Sequence, residues 1–195
     1  MANAKFKECR FVAGIRSIQQ IPSSLIVNEV AFAGRANVGK SSLLNALTHK
    51  KDLARTSKTP GRTQQINFFA IENFITLVDL PGYGYSKVSK TKIDAWSRLI
   101  ANYVSSRQNL QQVFLLIDAR HGFKNNDLAV IEWLDSYQIP YRIVLTKADK
   151  IDQIELKDVQ TAMQKVCEKE ILVTSSVNKI GLDKLRFAIS SYSGK

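Results

Sequence analysis

Residues 34–41, Gly34-Arg35-Ala36-Asn37-Val38-Gly39-Lys40-Ser41, follow the pattern G-x-x-x-x-G-K-[ST], in which each fixed position has a chemical task. Glycines at both ends let the backbone wrap a phosphate with its N–H groups pointing inward, and a helix beginning here adds its positive dipole end. Lys40 can bridge outer phosphate oxygens and the Ser41 hydroxyl can ligate Mg²⁺, with Ser42 next in the same phosphate-binding turn. An apolar run, Val30-Ala31-Phe32-Ala33, precedes the pattern, and Leu43, Leu44 and Leu47 follow it at helical spacing. That is the strand–loop–helix context the pattern requires.

A phosphate loop does not name the base, so the remaining motifs must. Asp79-Leu80-Pro81-Gly82 ends an apolar run in the form D-x-x-G. The aspartate there holds Mg²⁺ through water, and the Gly82 N–H senses a terminal phosphate. Alone, such a string is a common turn; one hairpin after a phosphate loop it acquires the second meaning. Thr146-Lys147-Ala148-Asp149 has the form [NT]-K-x-D after another apolar run. The Asp149 carboxylate can accept both the ring N–H and the exocyclic amine of guanine, a donor pair that adenine lacks on that edge. The aliphatic stem of Lys147 covers the base face. Thr174, Ser175 and Ser176, after the run 171–173, would bring backbone N–H groups to the guanine carbonyl. Between Lys40 and Asp79 lies the turn-rich segment Lys58-Thr59-Pro60-Gly61-Arg62-Thr63-Gln64, followed by Gln65, which could close over a nucleotide. Thr63 is the candidate for the second hydroxyl on Mg²⁺.

The elements that must position these residues alternate along the chain. Residues 64–71 and 74–79 read as two strands around the turn-like Glu72-Asn73, and Val113–Ile117, Tyr141–Leu145 and 171–173 as further strands. Helices are expected over 90–107, 125–137, 155–169 and from about 181. Strands alternating with helices imply an α/β layered fold with a mostly parallel sheet and one antiparallel hairpin. Residues 1–27 are expected to pack on this domain as an extension, with Arg10-Phe11-Val12-Ala13-Gly14 adding a strand or a cap.

At 195 residues the chain is long enough for one domain with a sizeable core. Its two cysteines, Cys9 and Cys167, lie far apart, without metal-ligand spacing or a disulfide framework. Neither a leader-like apolar run, a membrane span nor a C-terminal lipidation cysteine is present, so a cytoplasmic protein off the membrane is expected. The net charge of +11 favours polyanionic partners. Lys50, Lys51, Arg55, Lys58 and Arg62 fall before and within the first closing segment, and Lys87, Lys90 and Lys92 follow the second. Basic residues beside segments that rearrange with nucleotide state would couple RNA backbone binding to the terminal phosphate, with Tyr83 and Tyr85 as stacking candidates.

With these motifs in order, the chain resembles the translational GTPase superfamily and, within it, the EngB family. The resemblance runs from about residue 6 to 190. It rests on Ala33-Gly34-Arg35-Ala36-Asn37-Val38-Gly39-Lys40-Ser41-Ser42, Thr59-Pro60-Gly61-Arg62-Thr63-Gln64, Asp79-Leu80-Pro81-Gly82-Tyr83-Gly84-Tyr85 and Thr146-Lys147-Ala148-Asp149. The resemblance implies a Ras-like P-loop fold of three layers, with a mostly parallel six-stranded sheet containing one antiparallel strand. It also implies GTP and GDP as ligands, Mg²⁺ as cofactor, a monomer, and a role in assembly of the large ribosomal subunit, with a link to cell division and septation. Tyr83 stands where Ras-like proteins carry a water-orienting glutamine, so slow intrinsic turnover, raised by a partner or an ion, is expected. Asn37 resembles the asparagine that ligates K⁺ in related GTPases; its alternative task is to stabilise the loop. Two functional readings stand: a GTPase whose hydrolysis times release from a ribosomal precursor, and a nucleotide-controlled rRNA-binding module with negligible intrinsic hydrolysis.

Overall fold

The computed structural model describes residues 5–25, 27–54, 65–71, 73–84 and 90–193, with 90–97 by backbone alone. Its centre is a sheet whose strands are β1 (Arg10–Ile15), β2 (Glu29–Gly34), β3 (Ile66–Ile71), β4 (Ile75–Asp79), β5 (Leu110–Asp118), β6 (Tyr141–Thr146) and β7 (Ile171–Val173). They lie in the order β1-β3-β4-β2-β5-β6-β7. β3 runs antiparallel to both its neighbours, and the other adjacent pairs are parallel.

Among the described residues five α-helices cover the sheet: α1 (Lys40–Thr48), α2 (Lys90–Ser106), α3 (Asn125–Ser136), α4 (Gln153–Gln164) and α5 (Leu182–Ser190). Alternate residues of the apolar strands serve opposite faces, which is why the sequence shows continuous apolar runs rather than polar–apolar alternation. Val30, Phe32, Phe114, Leu116 and Val144 join Leu43, Leu47, Leu185 and Ile189 of α1 and α5 in one core. Ala31, Ala33, Leu115, Ile117 and Leu145 join Tyr103 of α2, Ile131 and Leu134 of α3 and Met163 of α4 in the other. The three layers follow.

The six-stranded expectation needs correction: the sheet has seven strands among the described residues. Arg10–Ile15 pairs along β3 and extends the edge, with a register irregularity between Phe11 and Ala13. Phe6 and Cys9 just before it are fully buried in the core beneath α1. α4 is shorter than the expected 155–169. Its start is fixed by Asp152, which accepts from the Ile154 and Glu155 N–H groups, both at 2.8 Å. It ends early enough for Cys167 to lie buried beside the Tyr141 hydroxyl at 3.6 Å.

Because β2, β4, β5, β6 and β7 are parallel, their C-terminal residues Gly34, Asp79, Asp118, Thr146 and Val173 share one edge of the sheet. This is the edge where open α/β sheets bind ligands. Among the described residues no helix is long and apolar enough to cross a membrane.

Candidate functional site

The phosphate loop leaves β2 at Gly34 and enters α1 at Lys40. A Cβ on Gly34 would stand 2.8 Å from the Val38 side chain and 3.1 Å from Leu116, so the buried Val38 pins the loop against β5 only because residue 34 has no side chain. Gly39, with φ 103°, sits in the left-handed region immediately before α1, a conformation that glycine adopts without penalty. Asn37 is also left-handed, at φ 62°, which asparagine tolerates better than most residues. Two loop N–H groups are engaged within the protein: Ala36 donates to the Tyr83 carbonyl at 3.1 Å and Val38 to the Arg35 carbonyl at 3.2 Å. The N–H groups opening α1, at Lys40, Ser41 and Ser42, have no intrahelical carbonyl to meet and form the anion-facing end of the helix dipole.

Lys40 ion-pairs directly with the Asp79 carboxylate. Asp79 in turn lies 3.4 Å from Asn67 Nδ2, and Asn67 Oδ1 accepts from Gln65 Nε2 at 2.8 Å. A chain of polar groups thus runs from Gln65 through β3 to the end of β4 and the phosphate loop. Ser41 and Asp79 are hard oxygen donors of the kind Mg²⁺ prefers, and the Lys40 contact fixes Asp79 beside the loop that carries Ser41. These two residues fit the ion. Thr63, with Gly61, Arg62 and Gln64, lies outside the described residues.

The base end is held together by its own hydrogen bonds. Thr146 Oγ1, at the end of β6, reaches the Val38 carbonyl at 2.6 Å, fastening the base loop to the phosphate loop. Lys147, left-handed at φ 59°, sends its ammonium to the Asn37 carbonyl at 2.6 Å and to Asp118 Oδ2 at 2.9 Å. Its stem lies over Gly39, with Cε 3.5 Å from where a Cβ would be. Asp118 also takes a two-pronged contact from Arg120, at 2.9 and 2.7 Å. Burial alone would raise the Asp118 carboxyl, but the hydrogen bonds from Arg120 and Lys147 outweigh it and hold the acid well below the usual carboxylate range. Asp149 Oδ1 accepts from Ser175 Oγ at 2.6 Å, the leading reason its carboxyl is also lowered. The Ala148 N–H meets the Thr174 carbonyl at 3.2 Å, and the Asn178 N–H meets Ser175 Oγ at 3.0 Å. The loops after β6 and β7 therefore form one wall, with Ser176 beside it.

Residues 29–147 match the family model described as 50S ribosome-binding GTPase. The chain is 44% identical, over 94% of its length and 92% of the relative's, to a probable GTP-binding protein EngB of Bartonella bacilliformis. The chain belongs to the EngB family of GTP-binding proteins. A crystal structure of a probable GTP-binding protein EngB superposes with a TM-score of 0.70 at 23% identity, over 84% of this chain and 97% of that one. Era in complex with MgGDPNP and a segment of 16S ribosomal RNA superposes with a TM-score of 0.68 at 24% identity, over 86% of this chain and 57% of that one. Both establish the P-loop GTPase fold, and the family domain is a GTPase domain.

Within this EngB-family site one expectation fails. Tyr83 does not stand as an exposed stacking platform: it is buried, and its hydroxyl donates to Asp127 Oδ1 at 2.8 Å. Burial and then the adjacent Asp127 charge push its phenol far above the ordinary range, so it stays a neutral donor. Of the basic residues proposed for RNA, Lys50 and Lys51 are exposed after α1. Arg55, Lys58, Arg62 and Lys87 lie outside the described residues, as do Tyr85 and the side chains of Lys90 and Lys92. The motifs missed Asn67, Asp118 and Arg120. Asp118 carried a usable signal, a charge ending a continuous apolar strand, as Asp79 does.

Proposed function

We propose that this EngB-family GTPase binds GTP with Mg²⁺ at the carboxyl edge of its sheet and acts as a nucleotide switch during assembly of the large ribosomal subunit. The observation that carries the nucleotide assignment is the Thr146–Val38 hydrogen bond, which makes the base wall and the phosphate loop one rigid cleft. Asp149, oriented by Ser175, accepts the two guanine donors, and the stem of Lys147 lies along the base. Thr174, Ser175 and Ser176 close the base end. Lys40 would exchange its ion pair with Asp79 for the phosphate oxygens, and Asp79 with Ser41 would then offer the hard oxygen donors that suit Mg²⁺. When bound, Mg²⁺ neutralises charge developing between the outer phosphates. Thr63 supplies the further hydroxyl, and Gly61, Arg62, Gln64 and Gln65 with Leu80, Pro81 and Gly82 form the two segments that respond to the terminal phosphate.

With Tyr83 buried on Asp127, no side chain directly after Gly82 is free to align a water, which supports slow turnover in the isolated protein. K⁺ at Asn37 is a candidate for the missing positive charge, favoured by the exposed left-handed position of that residue. Hydrolysis faster in KCl than in NaCl supports this; equal rates with ribosomal particles present rule it out.

Lys50 and Lys51, with Arg55, Lys58, Arg62, Lys87, Lys90 and Lys92, form the proposed contact with ribosomal RNA, and the similarity to an RNA-bound Era gives that reading a precedent in the same fold. The same Tyr83 contact favours a second reading, an rRNA-binding module in which nucleotide state sets affinity and hydrolysis is incidental. Pull-down of ribosomal particles with a GTP analogue, GDP or no nucleotide tests the switch. Nucleotide-dependent association is expected; equal association in all three refutes it.

A further inference from the structure

Three segments meet at one buried carboxylate. Asp127, in the first turn of α3, has no solvent exposure. Its Oδ1 accepts from the Tyr83 hydroxyl at 2.8 Å, and its Oδ2 accepts from the Lys124 N–H at 2.9 Å. Oδ2 also lies 3.3 Å from Arg35 Nε, an ion pair lacking hydrogen-bond alignment. Tyr83 belongs to the segment that carries Asp79 and Gly82; Arg35 belongs to the phosphate loop. The backbone repeats the connection. Tyr83 N–H donates to the Gly34 carbonyl at 3.2 Å, and Arg35 and Tyr83 form an isolated parallel bridge. The next residue, Gly84, is left-handed at φ 80°, and a Cβ on it would stand 3.0 Å from Asn126 Nδ2 in the same first turn of α3.

We infer that Asp127 is a positioning residue for discrimination between GTP and GDP: by holding Tyr83 and Arg35 together, it fixes Gly82 against the phosphate loop. The inference rests on the GTP-switch reading of this site. A buried carboxylate cannot release either donor without being left under-compensated, so moving Tyr83 and Gly82 away from the phosphate loop carries a cost. Gly82 is one residue from Tyr83, so its N–H is presented to a terminal phosphate from a fixed height. A scaffold role for Asp127 would stabilise the fold and leave the nucleotide preference untouched, which separates the two ideas.

The test is calorimetric titration of GDP and a non-hydrolysable GTP analogue, each with Mg²⁺, into wild type, Asp127→Asn, Tyr83→Phe and the double variant. The ratio of the two affinities is expected to shift by about two- to thirtyfold in Asp127→Asn, and in the same direction but less in Tyr83→Phe. The double variant should resemble Asp127→Asn alone, because both changes break one network. Ratios unchanged within about twofold, or shifts that simply add, would overturn the inference. If Asp127→Asn does not fold, Tyr83→Phe decides by the same ratio. Wild type that binds neither nucleotide would overturn the GTP reading itself, and the inference with it.

Discussion

Two buried carboxylates, one at each end of β2, hold a tyrosine and an arginine apiece, and they have different work. At the start of the strand, Glu29 accepts from Tyr103 at 2.7 Å and ion-pairs with Arg107. Beyond its end, Asp127 accepts from Tyr83 at 2.8 Å and pairs with Arg35 at 3.3 Å. The chemistry is the same, but the partners differ. Tyr103 and Arg107 lie at the end of α2 and just after it, so Glu29 fastens a helix to a strand. Tyr83 and Arg35 come from two loops that would touch the nucleotide, so Asp127 fastens one part of the site to another. A buried ionic cluster is a poor guide to stability by itself; its place in the topology decides whether it supports the scaffold or couples a site.

The comparison can be broken by paired substitutions. Glu29→Gln and Asp127→Asn should each lower the unfolding free energy by about 3 kcal/mol, since each weakens a buried pair and leaves an arginine without its counter-charge. Denaturant titration measures this. Only Asp127→Asn should alter the relative affinity for GTP analogue and GDP; a similar change in Glu29→Gln would erase the distinction. Thr146→Val sharpens the account at the base end. It orphans the Val38 carbonyl and should cost about 2 kcal/mol in stability, with roughly tenfold weaker GDP binding, because the base wall and the phosphate loop are no longer tied.

The smallest effect concerns Asp118. Its carboxyl titrates lower in the folded protein than in the unfolded chain. Its stabilising contribution is therefore present above about pH 4 and is lost as the pH falls through the folded value. Asp118→Asn should cost on the order of 1 kcal/mol at neutral pH, reduced by the exposure of its partner Arg120. The gap in Tm from wild type should close under acid, and a gap that widened there would contradict the assignment.

Much of this architecture was legible in the sequence. The strand before Gly34, the helix after Lys40 and the strand ends at Asp79 and Thr146 could be read because apolar runs, glycines and charged residues change abruptly there. Asp149 and Ser175 were each readable as base-end residues after successive strands, but their mutual hydrogen bond needed β6 and β7 to be neighbours. β1 was harder. Arg10–Ile15 is exposed or half-exposed for most of its length, contains Gly14, and carries an irregular register, all of which blur an alternation signal. The inward turn of Tyr83 was not readable, because its partner lies 44 residues away on a helix and nothing local marks the pairing. Asp118 lay between these cases: its position at a strand end was visible, but its bond to Lys147 needed β5 and β6 to be neighbours.

The most direct test of the central claim is competition of GDP and ADP for the purified protein loaded with a fluorescent guanine nucleotide. Asp149 and its Ser175 support predict displacement by GDP at concentrations at least about a hundredfold below those needed for ADP, with the preference lost in Asp149→Ala. Equal displacement by both nucleotides in the wild-type protein would contradict the account.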